Sequence, residues 1–83
     1  MSIKILYFAS LRERLKQSEE AVPADAGTTV AELLKTLKAR GPEWENALSG
    51  TRVKVAVNQE VANLHTPLGD GDEVAFFPPV TGG

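Results

Sequence analysis

The sequence predicts an α+β domain of two layers, a mixed sheet covered on one face by one main helix, with an extended arm at its C-terminal end. Apolar side chains recur at every second position in residues 3–8, 53–58 and 73–77, which is the period of strands. One later stretch has a different spacing: Val30, Leu33, Leu34 and Leu37 fall at i, i+3, i+4 and i+7, the stripe of an amphipathic helix. Eighty-three residues allow one core and leave little apolar material for a deep pocket.

Residues 2–9 read as the first strand, with Ile3, Ile5 and Tyr7 turned to the core. Ser10 is placed to cap a short helix or turn over 11–16, where Leu11 and Leu15 share a face. Residues 19–22 form a weak edge strand, ended by Pro23 and the Asp25-Ala26-Gly27 turn signal. Thr29 with Glu32 makes a capping-box pattern for the main helix, and Gly41 is expected to stop it. Pro42 then begins a second short helix with Trp44, Ala47 and Leu48 on one side. Its spacing makes Trp44 a core or core-edge residue. Val53, Val55 and Val57 belong to a half-buried strand, and the Asn58-Gln59 turn leads into a short strand over 60–62. A turn over 68–72 precedes the last strand, 73–77.

Composition narrows the function. The net charge is -2 and the nine Lys and Arg residues are dispersed, which argues against nucleic acid as a partner. No apolar run is long enough for a membrane span or has the flanks of a signal peptide, so the expected location is the cytoplasm. Without cysteine, the chain has no disulfide framework, no thiolate metal ligand and no side chain on which to carry sulfur. Asp70, Asp72 and Glu73 alternate as in a calcium loop, but the further ligands of that motif do not follow, so they read as a solvated turn. His65 lacks the companions of a metal site or a triad and reads as a loop residue. The basic residues of the main helix read as its solvated face.

The C-terminal segment is the most informative part of the chain. Pro78 and Pro79 end any ladder and project the remaining residues as a stiff arm, with a reach of at most about 20 Å from Pro78 to Gly83. Val80 and Thr81 lead to Gly82 and Gly83, which lack a Cβ and can thread a narrow channel. The functional group at the tip is the terminal carboxylate, ionised at neutral pH and unreactive until activated.

The run from Asp70 to Gly83, with Ala56-Val57-Asn58-Gln59 and the opening strand from Ile3 to Ala9, resembles the small-subunit family of molybdopterin synthase, the sulfur carriers of molybdenum cofactor synthesis. The resemblance implies a ubiquitin-like β-grasp fold over 1–77 and a flexible diglycine tail over 78–83. It implies that a ubiquitin-activating-type enzyme uses ATP to adenylate Gly83, that a sulfur donor protein converts the adenylate to a thiocarboxylate, and that the chain itself binds no cofactor. The large synthase subunit would be the partner, in a heterotetramer. Thiamin or tRNA-thiolation carriers and ubiquitin-like protein modifiers share the diglycine and stand as alternatives.

Alternation also turns Leu6, Phe8, Ala75 and Phe77 away from the core. An exposed apolar patch of this kind marks a partner surface. In a β-grasp the first and last strands are parallel neighbours, so Phe8 and Phe77 are expected beside the tail's exit. Val61 and Arg12 are assigned to the same interface, Arg12 as a polar contact at its rim.

Overall fold

The computed structural model describes residues 1–49 and 53–78. Its elements, in chain order, are β1 (Ser2–Tyr7), α1 (Ala9–Leu15), β2 (Glu19–Pro23), α2 (Val30–Lys38), α3 (Pro42–Leu48), β3 (Lys54–Val57), β4 (Glu60–Val61) and β5 (Glu73–Phe77). The strands form one sheet in the order β2-β1-β5-β3-β4. β1 runs antiparallel to β2 and parallel to β5, and β5 and β4 each run antiparallel to β3. Two hairpin-like arms thus flank α2, with the first and last strands paired in the centre. This is the expected β-grasp.

One face of the sheet supplies the core. Ile3, Ile5 and Tyr7 of β1 and Val74 and Phe76 of β5 are buried against Val30, Leu33 and Leu37 of α2, with Leu11, Leu15, Ala47, Leu48 and Leu68 closing the periphery. Thr29 is the N-cap of α2 and its hydroxyl accepts from the Glu32 N–H at 3.3 Å. The next donors of that first turn are also satisfied: Val30 donates to the Thr66 carbonyl and Ala31 to that of Leu64. The 64–68 loop therefore holds the start of the helix over the sheet.

Several boundaries differ from the sequence expectation, each for a local reason. β1 ends at Tyr7, because Phe8 becomes the N-cap of α1 and Ala9 turns the chain at a φ of 51°. Ser10 is therefore inside the helix and caps nothing, although Leu11 and Leu15 are buried as their spacing predicted. α2 ends with Ala39 as C-cap, ahead of Gly41. Gly41, at φ 152° and ψ 174°, is instead the N-cap of α3, a conformation open essentially to glycine alone, and Pro42 follows in the first turn. The strand expected over 60–62 is assigned over Glu60–Val61, although Ala62 still donates to the Val55 carbonyl. Asn58 and Gln59 have φ values of 51° and 71°, the signature of a tight type I′ hairpin turn.

Arg40 departs from the expected solvated face. Its guanidinium makes a two-pronged contact with Glu20 of β2 at 2.7 and 2.9 Å and lies 4.6 Å from the centre of the Trp44 ring. The same Glu20 carboxylate accepts from the Tyr7 hydroxyl at 2.8 Å. Trp44 meets Tyr7 edge-on at 5.7 Å and is half-buried, a core-edge residue as its spacing predicted. This group joins β1, β2, α3 and the end of α2. It holds Glu20 below the ordinary carboxylate range, first through the Arg40 hydrogen bonds, with burial opposing and the Tyr7 hydroxyl assisting. Burial, reinforced by the negative partner, raises the Tyr7 hydroxyl.

Two outcomes follow for stability. Phe76, 1% exposed and stacked 6.3 Å from Tyr7, should cost roughly 3–5 kcal/mol when changed to Ala, a large share of the ~4–12 kcal/mol a domain of this length has. Denaturant unfolding measures it. Because the Glu20 pKa is lowered on folding, its contribution is complete above the ordinary value of about 4.3 and disappears as pH falls through the folded value. Arg40→Ala should therefore cost about 1–2 kcal/mol at neutral pH, and the gap to the parent should narrow in acid. Unfolding curves at neutral and acidic pH that stay equally far apart would refute this coupling.

Candidate functional site

The strand registers place one transverse row of side chains on the face of the sheet away from α2. Leu6 pairs with Glu19 on one side and Ala75 on the other, Ala75 with Ala56, and Ala56 with Val61. Because Phe76 points to the core, its neighbour Phe77 points to this outer face, opposite Lys54. Phe8 continues beyond β1 and donates its N–H to the Phe76 carbonyl, which sets it beside the end of β5. The outer face is consequently apolar at its centre. Charged residues rim it, including the Lys4–Glu19 pair at 3.3 Å.

The expected interface residues are brought together to different degrees. Val61 is 85% exposed and Phe8 45%, while Phe77, Leu6 and Ala75 are half-buried by their neighbours. Arg12 is exposed on α1, one turn after Phe8, and makes no ion pair with the described residues. Ala56 is the member the sequence reading did not single out. Only 9% exposed although it faces outward, it lies between Ala75 and Val61, and its small side chain keeps the centre of the face flat. The signal was present in the alternation of residues 53–58, which puts Ala56 opposite the valines.

Pro78 follows β5 outside any strand, at the edge of this face. Val80, Thr81, Gly82 and Gly83 lie outside the described residues. At the other end of β5, the acidic turn has a structural task. Asp70 accepts from the Ser2 N–H at 2.8 Å, and Asp72 accepts from the Gly69 N–H at 2.7 Å and the Asn58 side-chain amide at 3.0 Å. Those bonds, the Asn58 amide first, hold the Asp72 carboxyl below its ordinary range. Asn58 also accepts from the Glu73 N–H, so one side chain fixes the β3–β4 turn to the entry of β5. His65 is exposed in the loop before Leu68. Among the described residues no group of three His, Cys, Asp or Glu side chains is placed to hold a metal ion.

The geometry is an apolar outer face whose aromatic residues, Phe8 and Phe77, lie at the end where β5 gives way to Pro78. Comparison with known proteins adds the family. Residues 5–83 match the model of the ThiS family. The chain is 46% identical to the molybdopterin synthase sulfur carrier subunit of Escherichia coli, over 98% of this chain and 99% of that protein. Among solved structures, small archaeal modifier protein 1 of Haloferax volcanii is 32% identical and superposes over the whole of both chains with a TM-score of 0.87. A complex of subunits 1 and 2 of the molybdopterin-converting factor of Helicobacter pylori contains a chain 27% identical, with a TM-score of 0.72 over the whole of both chains. The fold is thus shared along the full length of both solved structures, and with the family match over residues 5–83 the chain belongs to the ThiS family.

Proposed function

We propose that this chain is the sulfur carrier and small subunit of a molybdopterin synthase. The observation that carries the reading is the place of β5: the strand that lays Phe77 on the apolar outer face is followed by Pro78 at the edge of that face, and the sequence goes on from there to Gly82 and Gly83. Full-length similarity to a molybdopterin synthase sulfur carrier subunit supports it. No helix among the described residues is long and apolar enough to cross a membrane. The proposed role, loading by an ATP-dependent partner enzyme, is a cytoplasmic one.

The chemistry takes place at the Gly83 carboxylate. One carboxylate oxygen attacks the α-phosphorus of ATP on a ubiquitin-activating-type enzyme, releasing pyrophosphate and leaving an acyl adenylate. A sulfide equivalent from the donor protein then attacks the acyl carbon, AMP departs, and a thiocarboxylate remains. The large subunit takes Val80, Thr81, Gly82 and Gly83 into its active site, where the sulfur passes to cyclic pyranopterin monophosphate. Two transfers complete the dithiolene, which suits a heterotetramer of two small and two large subunits. The outer face, through Phe77, Phe8 and Val61 with Arg12 at its rim, seats the carrier. ATP, the phosphate-binding groups and the bases belong to the partner enzymes.

A carrier for thiamin or tRNA thiolation would need the same loading, and a protein modifier would form isopeptide adducts ending in Gly83. The likeness to the archaeal modifier is consistent with a shared fold, while the higher identity, 46% against 34%, favours the molybdopterin carrier. Incubation with the activating enzyme, ATP and a sulfur donor should raise the intact mass by the difference between sulfur and oxygen. Deletion of Gly83, or one residue added after it, should abolish that increase with an unchanged circular dichroism spectrum. Sulfur loading that survives either change would exclude the terminal carboxylate as the carrier.

Phe77→Ala tests the seat. It should leave thermal stability nearly intact and weaken binding to the large subunit by about 1–3 kcal/mol, as for an aromatic anchor. Titration against the large subunit, beside a thermal melt, reads both quantities. Normal binding, or a melt as low as that of Phe76→Ala, would remove Phe77 from the interface.

A further inference from the structure

β2 is an edge strand whose outward backbone has no partner strand among the described residues. The Ala24 N–H donates to Met1 and the Tyr7 N–H to Ser18, with Ile3 opposite Val22 and Ile5 opposite Glu20. In an antiparallel pair these bonded positions alternate with unbonded ones. Glu19, Ala21 and Pro23 therefore direct their backbone groups away from the sheet. The free edge presents the N–H groups of Glu19 and Ala21 and three carbonyls, since Pro23 has no N–H to give.

Beside this edge, a cleft of about 300 Å³ separates β2 from the flank of α2. Val22, Ala24, Leu33 and Leu37 make it apolar within. Arg40 stands at one end, its charge already engaged by Glu20. Asp25 and Glu32 stand at the other and form no ion pair with the described residues. An apolar slot with an acidic mouth thus runs along an unpaired strand edge.

We propose that the β2 edge and the β2–α2 cleft form a docking site for an extended peptide segment of a partner protein. The segment adds a strand to the sheet, sets an apolar side chain into the cleft and places a lysine or arginine against Asp25 and Glu32. Main-chain bonds supply affinity in this mode, and the pockets for alternate side chains supply selectivity. Charge identifies the occupant as a basic segment of another protein. A second copy would offer a β2 strand with no basic side chain for Asp25 and Glu32, its charged residues being Glu19 and Glu20, and its own Pro23 would interrupt the paired ladder a second time. The site is separate from the outer face carrying Phe77 and Val61, and it does not depend on sulfur loading.

The probe is a blocked peptide of alternating valine and threonine flanked by lysines, compared with a twin flanked by glutamates. With the full chain, the lysine peptide should slow amide hydrogen exchange at Glu19 and Ala21, while Glu20 and Val22, already bonded to β1, change little. Asp25→Lys should weaken its binding about fivefold through charge reversal. Ala21→Pro, which removes an outward donor, should weaken it by about as much, roughly fivefold. Circular dichroism checks that each variant is folded, and Asp25→Lys leaves the strand backbone untouched. Binding to the large subunit should proceed equally with the peptide present. The proposal is overturned if Glu19 and Ala21 gain no protection, if both peptides bind alike, or if the peptide competes with the large subunit. Protection that rises with protein concentration in the absence of peptide, with dimers in sedimentation equilibrium, would assign the edge to a second copy and also overturn it.

Discussion

The parallel pairing of β1 with β5 is the constraint from which the rest of the structure follows. It aligns Ile5 with Val74 and Tyr7 with Phe76, so the largest core side chains come from two strands at opposite ends of the chain. The same register aligns Leu6 with Ala75 on the reverse side. One set of hydrogen bonds therefore organises two apolar surfaces, one covered by helices and one left open. A shift of one residue would exchange them and expose the core face to water.

The polar contacts hold the margins of that arrangement. Asn58 and Asp72 tie the β3–β4 turn to the start of β5, and Asp70 holds the first residues of β1. On the other side, Glu20 gathers Tyr7 and Arg40 where β2 passes the helices. The Tyr7 hydroxyl emerges from the core, and its burial is tolerated because the Glu20 carboxylate accepts its hydrogen bond. These contacts lie at the two ends of the sheet. They leave its outer centre, from Leu6 to Val61, free of polar groups that a docking partner would have to desolvate.

Much of this was legible in the sequence because period and capping are local signals. The strands around Ile5, Val55 and Phe76, the Thr29–Glu32 cap and the opposed orientations of Phe76 and Phe77 all follow from spacing. The long-range arrangement does not. That β1 and β5 are neighbours was implied by resemblance, since periodicity cannot select partners. Ser10 and Gly41 were misassigned because neighbouring backbone decides the cap: Ala9 turns at positive φ before Ser10, and Gly41 serves the helix that follows it. Arg40 looked like a solvated helix residue, and only the fold brings it to Glu20 across the cleft. The outward position of Ala56 was readable, but its near-complete burial depends on β4 lying beside it.

The central position of β5 also sets the order in which the chain can become compact. β1 needs a partner from the far end of the sequence, so the core cannot close until β5 is available, and pairing across such a separation is intrinsically slow. A product cut short before residue 73 would keep β1 and β3 with open inner edges and leave Ile5 and Tyr7 without their opposing residues. Such fragments expose what aggregation and proteolysis recognise. Compactness thus becomes a certificate of length: the strand that completes the core also carries the outer-face aromatic and leads into the C-terminal segment, so truncated chains are recognisable by their failure to fold.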